Sequence, residues 1–240
     1  GVVELSASSD HKKAVVVELN CETDFAAQNQ SFKDFAKNIA QLALEQGITD
    51  TETLLTSKLE GQLVSSTLTN LISTIGENIK IRRIKTLVAS ADQFITSYKH
   101  MGGKITTLIK LNGSAEANTL KLGCDLAMHV TASNPRFVER GEVSATELDQ
   151  EKDLARKKLQ KEGKADEIIE KILVGQMNKF YSETCLLDQP FVKEPKLSVA
   201  KFLKNEAPSL LPVEFVRFQL GEGIEVEKAN FRDEVAEQLK

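Results

Sequence analysis

VVELN at residues 16–20 and LIKLN at residues 108–112 are two similar stretches that decide the fold of this 240-residue chain. Each has the alternation of a short, half-buried strand and ends in asparagine. Each is followed by a stretch with apolar residues at helical spacing. A third similarity, between IKIRR at residues 79–83 and EFVRF at residues 214–218, comes in the same order. Three matches in one order predict a duplicated unit of strands and helices.

The second copy of this unit is longer than the first. The early strands begin 92 residues apart and the later strands 135 apart, so the second copy has 43 additional residues. SATE at residues 144–147 predicts a helix start there, because its Ser and Glu side chains satisfy free backbone amides. Gly163 separates the highly charged helix that follows from a more apolar one. The insertion therefore predicts an antiparallel helical hairpin, which either projects from the body or packs flat on the core.

These patterns predict an α+β fold with two similar subdomains. The apolar stripe of Phe231, Val235 and Leu239 predicts a last helix, which packs on the core or docks on a partner. The predicted division is residues 1–100 for core subdomain N, residues 101–143 and 188–226 for core subdomain C, residues 144–187 for the coiled-coil-like hairpin, and residues 227–240 for the C-terminal helix.

Composition and charge narrow the possible functions. The chain has 31 Lys and Arg residues against 35 Asp and Glu residues, and its net charge of −4 disfavours a nucleic-acid binder that relies on a basic face. No apolar run has the length of a membrane span. The sequence has no P-loop, G-x-G-x-x-G, H-E-x-x-H or G-x-S-x-G motif. We therefore expect no enzymatic activity, no cofactor, and neither a membrane nor a direct nucleic-acid partner.

The cysteines are few and scattered. Cys21, Cys124 and Cys185 form no CxxC pair, which is typical of a reducing cytoplasm or an equivalent organelle interior. A metal site needs clustered thiolates and imidazoles, so we expect none here. A thiol enzyme that uses Cys21 or Cys124 is one alternative, but Glu22 and Asp24 have the wrong charge to activate Cys21.

The candidate functional segment lies between the first strand of the repeat and its helix. It reads NCETDFAA at residues 20–27, and we expect the helix to start near Ser31. Phe25 is open to two interpretations. It either packs the incoming chain against the helix, or it is an exposed aromatic anchor for a partner protein.

Five blocks of the sequence, which follow one another along nearly the whole chain, resemble the elongation factor Ts family of bacteria and organelles. They are ELNCETDF at residues 18–25, GENIKIRR at 76–83, AMHVTASNP at 127–135, LDQPFV at 187–192 and GEGIE at 221–225. The resemblance implies a guanine-nucleotide exchange factor that promotes GDP release from elongation factor Tu, the GTPase that delivers aminoacyl-tRNA in translation elongation. It also implies a core of two similar α/β-sandwich subdomains with small antiparallel sheets, an inserted antiparallel helical hairpin and a C-terminal helix.

The resemblance further implies which residues bind the GTPase. The matched positions are Thr23, Asp24, Phe25 and Ala26, in the element that enters the GTPase near its magnesium and phosphate sites, and Ile105, His129 and Val192 in other contacts. An exchange factor needs no bond chemistry, because tighter binding to the nucleotide-free GTPase must weaken GDP binding by the same factor. A binding or scaffolding module without exchange activity is the second alternative.

The sequence also differs from the family pattern. Full-length members have an N-terminal helical domain that also binds the GTPase, and we expect this chain to begin just after it. Thr106 stands where the family often has glycine, and Lys193 stands where some members have a more apolar residue. Elongation factor Tu, in its GDP-bound and nucleotide-free forms, is the expected partner, and pairing into a homodimer is possible.

Overall fold

The computed structural model describes residues 1–224, so the predicted C-terminal helix lies outside the described residues. The described part contains two three-stranded antiparallel sheets, two short strand pairs and eight α-helices. It has the α+β fold that the sequence predicts.

The first unit has its long strands at both ends and its helices between them. In chain order it comprises β1 (Val2–Ala7), β2 (Lys13–Asn20), α1 (Asp24–Gln28), α2 (Gln30–Gln46), α3 (Thr51–Thr56), β3 (Lys58–Leu59), β4 (Gln62–Leu63), α4 (Val64–Ile75) and β5 (Lys80–Val88). Its main sheet has the order β1-β2-β5, with β2 in the centre. Helix α2 begins at Gln30, one residue before the predicted start near Ser31. Its cap is Asn29, whose side chain accepts a hydrogen bond from Ser31 N at 2.9 Å.

The second unit repeats this plan and contains the insertion. It comprises β6 (Gln93–His100), β7 (Ile105–Asn112), α5 (Ala117–Ser133), α6 (Ala145–Lys161), α7 (Asp166–Thr184), β8 (Pro190–Phe191), β9 (Glu194–Ser198), α8 (Val199–Glu206) and β10 (Leu211–Gln219). Its sheet has the order β10-β7-β6. In both units a hairpin leads to a long helix, and a later strand returns to pair with the second hairpin strand. This confirms the duplication.

One predicted boundary does not coincide with the division between the sheets. Residues 1–100 were expected to form subdomain N, but β6 (Gln93–His100) pairs with β7 along its full length. The strand before residue 100 therefore belongs to the second sheet, and the chain passes between sheets at residues 89–92. The other predicted domain limits stay predictions.

The two sheets lie face to face, and each has helices on its outer face. Alternate residues of β2 point to opposite sides, so Val17 and Leu19 pack against α2 while Val16 packs against the second sheet. The core between the sheets is formed by Val3, Ala14, Val16 and Leu87 of the first sheet with Ile95, Leu108 and Val216 of the second. Both faces of each central strand are covered, which explains why β2 is buried almost throughout.

The insertion forms the predicted helical hairpin. Helix α6 begins where Ser144 Oγ accepts a hydrogen bond from Glu147 N at 3.2 Å, and Gly163 follows its end with a φ of 75°. Leu159 of α6 packs with Ile169 and Leu173 of α7 in a small cluster of their own. The hairpin contacts the body at its base, where Phe180 and Cys185 pack with Val143.

Alanine substitutions at two helical glycines should have opposite effects on the free energy of unfolding. A Cβ on Gly123 of α5 would lie 2.7 Å from Leu111 Cδ1 and 2.7 Å from Thr96 Oγ1, whereas a Cβ on Gly175 of α7 would meet nothing within 4 Å. We expect Gly123→Ala to lower the free energy of unfolding by about 1–3 kcal/mol through overpacking. Gly175→Ala should raise it by about 0.5–1 kcal/mol through helix propensity. Urea unfolding measures both, and a stabilised Gly123→Ala would contradict the close approach of α5 to its sheet.

Candidate partner-binding site

The segment after β2 is fixed to the body by the turn after α4. The carboxylate of Glu77 accepts hydrogen bonds from Glu22 N at 3.2 Å, from Thr23 N at 3.0 Å and from the Thr23 hydroxyl. The Thr23 side chain in turn caps α1, because its Oγ1 accepts a hydrogen bond from Ala26 N at 3.1 Å. Thr23 is thus held from both sides at the start of a one-turn helix.

Phe25 is the most exposed large apolar side chain of this segment. The residue is 90% exposed, while Ala26 and Ala27 behind it are 4% and 8% exposed. Sequence reasoning left two roles open for Phe25, and its exposure rules out the packing role. The short helix turns its small residues to the body and holds the aromatic ring in solvent.

Asp24 connects the segment to the second unit. Its Oδ1 accepts a hydrogen bond from Lys104 Nζ at 2.9 Å, and this bond lowers the pKa of Asp24 below its ordinary value. Lys104 lies in the tight turn between β6 and β7. Both groups are substantially exposed, so the ion pair orients the segment more than it stabilises the fold.

The β6–β7 turn is a neighbour of the segment that sequence reasoning missed. Met101 of this turn is 73% exposed with a φ of 47°, and it lines one cleft together with Asp24 and Gln28. A positive φ is uncommon for a residue with a side chain and marks a tightly constrained turn. The structure therefore places a second exposed apolar side chain beside the Phe25 segment. No local sequence pattern indicates it, because the neighbourhood arises from sheet stacking.

Ile105 follows Lys104 at the start of β7 and is half-buried. Thr106, which stands where the related family often has glycine, is fully buried. Its hydroxyl donates a hydrogen bond to the backbone oxygen of Val3 at 3.0 Å and so joins the two units. Ile105 thus directly follows Lys104, the ion-pair partner of Asp24, along the chain, and its contact with a partner stays a prediction.

His129 is fully buried, which differs from the expectation of a residue that faces a partner. Its Nε2 lies 2.9 Å from Gln189 Oε1, and its Nδ1 accepts a hydrogen bond from Val192 N at 3.2 Å. Burial lowers the pKa of His129, although the bond to Gln189 acts in the opposite direction. A neutral imidazole that donates from Nε2 and accepts at Nδ1 fits both contacts. In this conformation His129 supports the backbone of Val192 and does not reach the surface.

Val192 itself is accessible, with a relative exposure of 43%. The neighbouring Lys193 pairs with Asp125 at 2.6 Å, so this cation is directed along α5. Thr107 of β7 and Thr131 of α5 share a hydrogen bond of 2.8 Å, which places the end of α5 beside the start of β7. Val192 therefore lies toward the same end of the second unit as the β6–β7 turn.

The described residues show no group of three or more His, Cys, Asp or Glu side chains that could hold a metal ion. Cys21, Cys124 and Cys185 are free thiols. Burial and Asp125 raise the pKa of Cys124, which disfavours a reactive thiolate there. Within residues 1–224, no helix combines the length and the apolar character that a membrane crossing requires.

Comparison with known proteins assigns the chain to a family. The family model for Elongation factor TS matches residues 22–222. Elongation factor Ts of Clostridium kluyveri is 41% identical over 249 residues, which cover 100% of this chain and 81% of that protein. The protein of the same name from Halothermothrix orenii is 36% identical, over 100% of this chain and 80% of its own length. That of Magnetococcus marinus is 43% identical, over 92% of this chain and 75% of its own length. The chain belongs to the elongation factor Ts family.

Proposed function

We propose that this chain promotes the release of GDP from elongation factor Tu by inserting the Thr23–Phe25 segment near the magnesium and phosphate site of that GTPase. Membership in the elongation factor Ts family supports the exchange role and the partner. The observation that carries the finer proposal is Phe25, which is 90% exposed on a one-turn helix held by Glu77 and Thr23. Exposed aromatic side chains on rigid supports are favoured anchors in the pockets of partner proteins.

The mechanism requires displacement and no bond chemistry. Mg²⁺ demands near-ideal octahedral geometry, so a small movement of the elements around it weakens its hold on the phosphate oxygens. The Phe25 ring acts as a wedge that displaces these elements of the GTPase. Lys104 orients Asp24 so that its carboxylate enters the same site together with the ring. Because binding free energies are reciprocal, a factor that prefers the nucleotide-free GTPase must weaken GDP binding to the same extent. This role is not enzymatic.

A second contact is proposed on the other unit. The exposed Val192 is supported by the hydrogen bond from its backbone N–H to His129, while Met101 lines the cleft beside Asp24 and Ile105 follows Lys104 along the chain. Ala26 is 4% exposed, so it contributes the close packing behind Phe25 more than contact area. In this proposal His129 acts through Val192.

The direct test measures the release of a fluorescent GDP analogue from elongation factor Tu as this chain is added at increasing concentration. We expect the release rate to rise and to reach a plateau. A scaffolding protein without exchange activity would form the complex, visible by size-exclusion chromatography, and leave the rate unchanged. That result would reject the exchange proposal while keeping the interaction.

A further inference from the structure

Glu18 is a carboxylate enclosed between the two sheets. It lies on β2, two residues before Asn20, and its residue is 0% exposed. By the alternation of the strand it faces the second sheet, as Val16 and Ala14 do. Among the described residues no other carboxylate is so completely buried. A buried charge is costly unless several partners compensate it.

Three groups compensate Glu18, and they come from both units. Arg82 donates to Glu18 Oε1 at 3.0 Å, and Arg83 Nε donates to Glu18 Oε2. Gly221 N, in the turn after β10, donates to Glu18 Oε1 at 2.9 Å. Burial raises the pKa of Glu18, but these hydrogen bonds outweigh it and hold the pKa below its ordinary value. The group therefore stays ionised inside the protein.

The two arginines extend the contact along the same turn. Arg82 also donates to the backbone oxygen of Glu222, and Arg83 donates to that of Gln219 at 3.0 Å. The guanidinium of Arg83 lies 4.1 Å from the ring centroid of Phe218, a cation–π contact. We call Glu18, Arg82, Arg83 and residues 219–222 the Glu18 clamp.

The position of the clamp matters more than its contribution to stability. Well-packed apolar residues often stabilise a fold as much as a buried ion cluster does, so such a cluster is weak support for a purely stabilising role. Here it unites three of the sequence blocks, at residues 18–25, 76–83 and 221–225, that lie far apart along the chain. It also lies at the end of the sheets from which the Phe25 segment departs.

We propose that the Glu18 clamp sets the position of the first unit relative to the second, so that Phe25 on one unit and Val192 on the other meet the GTPase together. Glu18 is then a positioning residue for nucleotide release. The part that concerns release rests on the proposed function, whereas the part that concerns the two units does not. Two binding surfaces on linked bodies help each other only when the geometry allows both to engage.

The geometry is tested by the distance between spin labels on the two units. Lys121→Cys on α5 and Gln46→Cys at the end of α2 supply exposed labelling sites on the two units, and Cys21→Ser and Cys124→Ser remove the competing native thiols. Cys185 is fully buried and should not react. We expect Glu18→Gln to broaden or shift the distance distribution, since an amide cannot accept from both arginines as the carboxylate does. A distribution that superimposes on that of the parent would overturn the proposal.

Two further variants separate the role of the clamp from a failure to fold and from the general effect of breaking an ion pair. If Glu18→Gln does not fold, Arg83→Lys serves instead, because it keeps the charge and loses the fork that reaches both Glu18 and Gln219. The matched control is Lys110→Met, which breaks a 2.7 Å ion pair with Glu214 inside the second sheet. The control should leave the distance distribution unchanged, and an equal broadening in Lys110→Met would also reject the clamp.

The effect on release is tested at saturating concentration and well below the melting temperature. We expect Glu18→Gln to lower the maximal rate of GDP release by at least about tenfold, the equivalent of one lost hydrogen bond to a charged group. In a Phe25→Ala background the same change should have little further effect, because a positioning residue acts through the group it positions. Equal fold-changes in both backgrounds would reject the positioning role. If Phe25→Ala alone leaves the rate of GDP release unchanged, the proposed insertion of Phe25 into the GTPase is rejected. The distances between the labels then still show whether the Glu18 clamp sets the relative position of the two units.

Discussion

Phe25→Ala should lower the acceleration of GDP release by more than about tenfold, the loss expected when an aromatic anchor is removed from a partner pocket. The fold should be unaffected, because Phe25 is 90% exposed and contributes little buried surface. We expect the free energy of unfolding to change by less than about 0.5 kcal/mol. Release of fluorescent GDP and urea unfolding, measured on the same preparation, separate the two effects.

Two alanine variants serve as references for Phe25. Phe32 is a fully buried phenylalanine of α2, and Phe32→Ala should cost about 3–5 kcal/mol of stability. Val88 is 56% exposed at the opposite end of the first sheet, and Val88→Ala should change neither stability nor release. A Phe25→Ala variant that releases GDP at the parental rate would reject the wedge, and one as unstable as Phe32→Ala would contradict the exposed position of the ring.

His129→Leu should destabilise the protein by roughly 2–5 kcal/mol, because it leaves two buried groups without partners, Gln189 Oε1 and Val192 N. The half-exposed His100, which stacks on Tyr98 with ring centroids 6.0 Å apart, provides the matched control. His100→Leu should change stability by less than about 1 kcal/mol. Thermal or urea unfolding of the two variants measures the difference. If His129→Leu reduced GDP release with no loss of stability, a direct contact of His129 with the GTPase would be the better explanation.

The same histidine gives a pH dependence with a definite sign. Because burial lowers the pKa of His129 in the folded state, the unfolded chain takes up a proton first as the pH falls below about 6.5. Stability should therefore decline from about pH 6.5 toward pH 5, at up to about 1.4 kcal/mol per pH unit. His129→Leu should show a flatter profile in this window. A variant that follows the parental slope would show that another group is responsible.

Much of the fold could be predicted because its signals are periodic. The alternation around Val16 and Leu108 marks the two central strands, and the unequal offsets between matched strands reveal the inserted hairpin. The strands β1 and β6 belong to none of the three matched pairs, so the repeat does not mark them in the sequence. For this reason the boundary predicted at residue 100 lies after β6 instead of before it.

The candidate site was predictable in part. The segment 23–26 stands out in the sequence, but the exposure of Phe25 depends on Glu77, which is 54 residues away from Thr23. His129 illustrates the converse case. Its burial depends on Gln189, 60 residues away, so neither the helix pattern nor the family resemblance could reveal that it supports Val192 from within. Met101 reaches the site only because the two sheets stack.

The contrast between the shared inter-sheet core and the hairpin has a consequence for how the protein opens. The inner apolar face of each sheet is buried only by the other sheet. The two units should therefore unfold in a single cooperative step. The hairpin has only its own small cluster around Leu159 and a base around Phe180. Local opening requires the least free energy where few apolar contacts are lost. In a hydrogen-exchange experiment, the backbone amides of α6 and α7 should therefore exchange much faster than those of β2 or β7.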